Sequence, residues 1–426
     1  MRKMKDSGIE WIGEIPEEWE TVPLKSQFNF GKGLPITKEN LIEKGIPVIS
    51  YGQIHSKSND GVHITDDLIR FVDEQYIQSN PLSLVNKFSF IFADTSEDLE
   101  GCGNCVYFDS DYQLFAGYHT IILQSQNNKS NKYLAYLFKS DAWRKQIREQ
   151  VSGVKLFSIS QKILKSVSVI IPPISEQQKI AAYLDEKCSE IDSVTAKTKA
   201  TIEEYKKLKL AIITQAVTKG IRKGRKMKDS GVEWIGEICS DFQIRKLKYV
   251  FIILDQFRSP ITADKRNQNS DVLYDYYGAS GVIDKIDSYT IDDHVMLIGE
   301  DGANLKMRNL PLMYEINGKA WVNNHAHILK PNSGYDFRFL FYALESLDIN
   351  TYITGSAQPK LSQENLKNIL IPIPTYDEQK EIATYLDEKC SAIDTLIAKK
   401  EQLLTELESY KKSVIYEYVT GKKEVG

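Results

Sequence analysis

The side chains that could do chemistry fall into three groups. Cys102 and Cys105 form a C-x-x-C pair, the spacing with which thiolates begin a zinc site. Tetrahedral zinc needs two further ligands and no second pair follows, so no metal site is expected; Cys188 and Cys390, at equivalent positions of a repeat, read as buried thiols. His119 with Asp94, and His325 with Glu300, could form acid–base couples. Neither couple has a nucleophile or second base beside it, so the histidines read as satisfying local hydrogen bonds. The third group is a basic run: Lys199 to Lys228 holds ten basic residues against Glu203 and Glu204. A local patch of this kind matters more to a polyanion than the net charge of −4 does. No G-x-x-x-x-G-K-[ST] phosphate loop occurs, and no Asn or Asp precedes a Pro-Pro-aromatic sequence, as an adenine methyltransferase would need. No catalytic residue is therefore assigned.

The elements that must position these residues are read from a repeat. IPPISEQQKIAAYLDEKCSEID at 171–192 returns as IPIPTYDEQKEIATYLDEKCSAID at 371–394, so that Tyr183 matches Tyr385 and Cys188 matches Cys390. Such self-similarity makes the chain two related halves. Pro172, Pro173, Pro372 and Pro374 exclude a helix upstream. Ser175 with Gln178, and Thr375 with Glu378, fit the reciprocal capping box. Ile180, Leu184 and Ile191, then Ile382, Leu386, Ile393, Leu404 and Leu407, recur at helical spacing and form one apolar seam. Gly220 and Gly421 stop the runs. Each helix would be about 65 Å long. A narrow seam on so long a helix predicts pairing as an antiparallel coiled coil between two globular parts.

The openings repeat as well. MKDSGIEWIGEI at 4–15 matches MKDSGVEWIGEI at 227–238, which places Trp11 and Trp234 in equivalent flaps. Between flap and helix lie two regions of little identity but similar plan, with runs such as IPVIS, FSFIF and HTIIL reading as strands and YVFIIL at 249–254 as a buried strand. Asp94 and Thr95 align with Glu300 and Asp301, and His119 with His325, at one common offset. The expected class is α+β: two α/β domains separated by two long antiparallel coiled-coil helices, with a pseudo-two-fold internal repeat. The boundaries are 1–171 for the first domain, 172–222 for the first helix, 223–371 for the second domain and 372–426 for the second helix.

Composition agrees with a globular chain: 42% hydrophobic and 26% charged residues, with five cysteines, an odd number that suits a reducing compartment. No apolar run approaches a membrane span, and MRKMKDSGIEW lacks a signal core, so a cytoplasmic protein without membrane contact is expected.

Taken together, the MKDSGIEWIGEIP opening, the IPIP…EQ…IA.YLDEK helix start, the VTKG and VTGK helix ends and their duplication resemble the specificity subunits of type I restriction–modification systems. The segments 31–57 and 276–305 resemble the target-recognition domains of that family. The resemblance implies that each variable domain reads one half of a bipartite, asymmetric site in double-stranded DNA. It implies that the helices fix the gap and bind two modification (methyltransferase) subunits, with restriction (motor-nuclease) subunits joining that core. S-adenosylmethionine and ATP then belong to partner subunits, and no cofactor is expected on this chain. A stand-alone or silent DNA-binding adapter or regulator is the alternative.

Under that reading, the DNA-contact candidates are polar or aromatic residues on Gly-rich loops. They are Lys32, Lys38, Tyr51, Gln53, His55 and Lys57 in the first domain, and Arg258, Lys265, Arg266, Tyr276, Tyr277 and Ser280 in the second. Lys155 and Lys360, which follow the equivalent glycines Gly153 and Gly355, are candidates for phosphate contact.

Overall fold

Proline sets where both long helices begin. The computed structural model describes residues 2–126, 129–153, 155–266, 271–355 and 357–426. The first long helix runs Ile174–Lys219 and the second Tyr376–Val419. The capping boxes read from the sequence are not what starts them. Ser175 already lies inside the first helix, and Glu378 turns instead to Arg225. Equivalent glutamines take over: Gln177 Nε2 donates to the Pro172 carbonyl at 2.8 Å, and Gln379 Nε2 to the Pro374 carbonyl at 3.0 Å. A carbonyl stranded ahead of a helix needs a donor, and a glutamine amide supplies one with the reach. At the far ends Gly220 and Gly421 adopt φ of 71° and 68°, the left-handed conformation in which a Cβ is costly.

The chain forms two compact units: Met1–Thr198 with Gln402–Gly426, and Lys199–Glu401. In the first, a four-stranded antiparallel sheet is ordered Phe28–Lys32, Thr120–Ser125, Ser89–Ala93, Cys105–Phe108. Helices Lys132–Lys139 and Asp141–Arg148, broken at Ser140, cover it with Phe138 and Trp143 against Phe90 and Phe92. A smaller three-stranded sheet joins Ile46–Ile49 to Arg70–Val72 and Phe115–Ala116.

The second unit holds a six-stranded sheet ordered Phe251–Ile253, Ala326–Pro331, Ile291–Gly299, Met313–Val322, Tyr274–Gly278, Gly281–Ile286. Its first four strands repeat the order of the first unit's sheet. The strand expected to be buried at 249–254 is an edge strand, with Ile252 49% and Tyr249 59% exposed. It has a sheet neighbour on one side, and alternate side chains face out. The helix Phe337–Glu345 buries Phe339, Leu340 and Leu344.

Both units use parts of both long helices, antiparallel. In the first, the Tyr418 hydroxyl donates to that of Tyr183 (3.2 Å) and Lys411 pairs with Asp192 at 2.6 Å. In the second, Lys209 pairs with Asp394 and Arg222 with Glu381, both at 2.7 Å. Val414, Ile415 and Val419 join Ile180 and Leu184 in the first core. Ile213, Ala216 and Val217 join Ile382 and Leu386 in the second.

Two joints recur. Each flap is tied to a helix start: Arg2 donates to Glu176 at 2.7 Å and lies over Trp19, and Arg225 pairs with Glu378 and lies over Phe242. Each domain is tied to a helix: Tyr136 and Lys132 meet Asp185, as Tyr342 and Arg338 meet Asp387.

Candidate nucleic-acid interface

One frame of backbone hydrogen bonds is built twice, at the same end of each unit's sheet. In the first unit the chain leaves strand Ser89–Ala93 at Asp94, whose N–H donates to the His119 carbonyl at 3.1 Å. The Asp94 carbonyl accepts from Ile159 N–H at 2.7 Å. In the second unit Glu300 N–H donates to the His325 carbonyl at 2.8 Å, and Leu361 N–H to the Glu300 carbonyl at 2.7 Å. Ser160 and Ser362 then cap the short helices that follow. The offset shared by the acids and histidines in the sequence thus reflects a shared loop junction.

The side chains on the two frames differ. The first unit opens a cavity of about 660 Å³ lined by Lys32, Gly33, Pro35, Asp94, His119, Gln161 and Lys162, among others. Gly33 makes the loop's close approach feasible, since a Cβ there would lie 1.9 Å from the Gly117 carbonyl oxygen. The aligned position in the second unit is Arg258, whose guanidinium pairs with Glu300 and with Asp255 (3.3 Å). His327 is buried there, with Nδ1 2.7 Å from Asp255 and Nε2 2.9 Å from the Leu361 carbonyl. Burial pushes the Asp255 carboxyl up, but hydrogen bonds from His327, Gln363 and Ile328 N–H hold it below its ordinary range. Glu300 is likewise pushed up by burial and brought below its usual value by Arg258 and Lys360. Phe30, Gly33 and Ile121 occupy the places of Asp255, Arg258 and His327 in the first unit, and of that charged corner only the acid at Glu300 is retained there, as Asp94.

Residues 16–204 and 239–408 match the family model for the type I restriction modification DNA specificity domain. The chain belongs to that family. It is 27% identical to the type I restriction enzyme MjaVIII specificity subunit of Methanocaldococcus jannaschii over 328 residues, 72% of this chain and 74% of that one. It is 20% identical to the StySPI specificity subunit of Salmonella potsdam over 437 residues, 96% and 90% of the two chains. Its fold matches a chain solved in work on complex assembly and conformational transition of the type I R-M system. That match has a TM-score of 0.70 at 14% identity and covers 96% of this chain and 99% of that one. The expected specificity-subunit identity and the duplicated α+β plan therefore hold.

On this specificity subunit, Lys32, Lys57, Lys155 and Ser280 are exposed on loops or at strand ends, and Lys38 and Lys265 are exposed on the short 3-10 helices Lys38–Asn40 and Ala263–Lys265. Tyr51 sets its half-buried ring edge-on to Tyr118 and His119, with centroids 5.6 and 5.5 Å away. Several other candidates spend their polar groups inside the unit. Gln53 accepts from Ser50 N–H as a cap, and the His55 ring sits between the Thr95 carbonyl and Asn104. Arg258 belongs to the charged corner. Arg266 pairs with Asp284 at 2.8 Å and lies over the buried Tyr276 ring, while Tyr277 is half-buried in the core. Lys360 is exposed but reaches Glu300 at 3.1 Å. Of the basic run, Lys206, Lys209, Arg222 and Arg225 are in ion pairs, and Lys228 donates to the Ser240 carbonyl. Along the seam Ile180, Leu184, Ile191, Ile382, Leu386 and Ile393 are buried, whereas Leu404 and Leu407 are half-buried.

His325 is held by Asp301 at 2.7 Å rather than by Glu300, because Arg258 and Lys360 occupy Glu300. Cys102 and Cys105 are both buried, and burial pushes the Cys105 thiol up to about 12. Sequence reasoning missed Tyr118, Gln161 and Lys162, which line the first unit's cavity. Among the described residues no helix is long and apolar enough to cross a membrane.

Proposed function

We propose that this subunit supplies sequence specificity to a type I restriction–modification complex, each sheet-bearing unit reading one half of a bipartite, asymmetric DNA site. The observation that supports this reading is one strand order and one loop junction built twice with unlike side chains. A common frame suits a common task, and unlike loops suit unlike words. The long helices set the gap and bind two methyltransferase subunits, and motor-nuclease subunits join that core in the cytoplasm. S-adenosylmethionine and ATP are held by those partners, and the subunit itself is catalytically silent. Readers related by a dyad enter grooves on one face of DNA about 34–36 Å apart. The site is thus two short, unlike words flanking a fixed gap of roughly half a helical turn.

Methylome sequencing of a host expressing this chain with its modification subunit tests the proposal. The expected result is a single bipartite motif, methylated on opposite strands in its two halves. No new motif, with the subunits shown to assemble, would replace this reading with that of a silent or regulatory adapter.

A further inference from the structure

Amid unlike surfaces, both units present an exposed histidine at the duplicated junction. His119 and His325 stand at the same point of the same backbone frame, with side chains 60% and 48% exposed. Each ring is tethered through Nδ1, to Asp94 at 3.2 Å and to Asp301 at 2.7 Å. The tether survives a change in the residue that supplies it. The acid aligned with Asp94 is Glu300, which Arg258 and Lys360 occupy, and its neighbour Asp301 holds the ring instead. His119 also keeps a left-handed φ of 55°, which glycine or asparagine adopts at lower cost. A side chain present in both units, oriented by a carboxylate and left exposed, is placed to meet something outside the chain.

The chemistry narrows what that is. A carboxylate only accepts, so Nδ1 donates to it, and no hydrogen bond among the described residues engages Nε2 of either ring. A second proton makes Nε2–H a charge-assisted donor suited to a phosphate oxygen. Around His119 stand Asp94, the Tyr51 and Tyr118 rings and, lining the same cavity, Lys32, Gln161 and Lys162. Around His325 stand Asp301 and Glu300, the latter compensated by Arg258 and Lys360. Two domains that read different words cannot use a shared residue for what differs. What the two half-sites share is the sugar–phosphate backbone.

We infer that His119 and His325 are phosphate contacts, one in each half-site, with Asp94 and Asp301 as their positioning residues. This rests on the DNA-recognition reading above. The test measures binding of the full chain to two labelled duplexes, one carrying the motif found by methylome sequencing and one a scramble of it. His119→Gln and His325→Gln are each expected to weaken both duplexes equally, by roughly ten- to a hundredfold, the worth of one charge-assisted hydrogen bond. Thermal midpoints and methylated words stay unchanged. Asp301→Asn gives part of the same uniform loss, and Asp301→Glu restores it. Should His119→Gln lower the thermal midpoint, His119→Asn, which suits the left-handed backbone, replaces it. Unchanged affinity for both duplexes, or a loss confined to the cognate duplex with an altered word, overturns the inference. If the unmodified chain fails to distinguish the duplexes, the specificity reading fails, while the scrambled duplex still judges the histidines.

Discussion

The Tyr136 hydroxyl donates to Asp185 at 2.7 Å, binding a helix of the variable domain to the first long helix. The same bond, from Tyr342 to Asp387 at 2.7 Å, recurs in the other unit. The carboxylates come from the repeated YLDEKCS, and the tyrosines from segments with little other likeness. Burial and the adjoining carboxylate push both phenols well above their ordinary values.

Removing the acceptor should therefore cost more than removing the donor. Asp387→Ala takes the acceptor from the buried Tyr342 hydroxyl, leaving it only the Arg338 guanidinium, which keeps Glu315 at 3.1 Å, a loss of about 1–3 kcal/mol. Tyr342→Phe deletes one hydrogen bond and should cost about 1 kcal/mol. Urea unfolding midpoints compare the two, and equal effects would place the bond's value elsewhere.

The helix seam separates folding from assembly. Leu386 is fully buried in the second unit's core, so Leu386→Asp should cost more than about 4 kcal/mol and unfold that unit. Leu404 is half-buried, and Leu404→Asp should leave the far-ultraviolet spectrum native. Co-purification with the modification subunit then reads whether that stripe serves a partner.

The charged corner of the second unit predicts an acid-sensitive contribution. Asp255 and Glu300 both titrate below their ordinary values in the folded chain. Carboxyls depressed on folding stabilise above the unfolded value, about 4, and that stability is lost as pH falls through the folded one. Glu300→Gln should flatten the fall in thermal midpoint below about pH 4. Arg258→Ala, which leaves Glu300 to Lys360 and Asp255 to His327, Gln363 and the Ile328 N–H, should cost about 1–3 kcal/mol at neutral pH. A variant that stayed stable and lost DNA affinity alone would return Arg258 to the list of readers.

Helix length should be legible in the DNA site. Four residues added to both long helices lengthen each by about 6 Å, or roughly two base pairs of rise. The methylated motif should keep both words and widen its gap. Altered words with an unchanged gap would detach the helices from spacing.

What the sequence made readable was whatever repeats. The Pro-led starts, the seven-residue spacing from Leu184 to Ile191 and the terminal Gly220 and Gly421 are local signals, and they placed both helices within a few residues. The caps were misread because Ser-x-x-Gln resembles a capping box, whereas the stranded proline carbonyls call on Gln177 and Gln379. Strand order was not legible, since Phe28–Lys32 and Thr120–Ser125 pair across some ninety residues. The site was hardest. Whether Arg258 faces solvent depends on Asp255 and Glu300, which only the fold brings to it. Conversely, the histidines read as bland because their meaning lies in a coincidence between two loops.

The borrowed helix ends bear on the order in which the protein can be made. Val414, Ile415 and Val419 complete the interior that begins with Ile9 and Ile12. On the ribosome the first unit emerges early but lacks part of its core until residues 414–419 are translated. The second unit draws its helix strip, Ile213 to Val217, from residues already synthesised. Synthesis thus favours the second unit as the first to complete its core, with the first unit waiting for the last turns of the second long helix. A chain ending at Glu401 would lack part of the first unit's core and leave the second unit's intact.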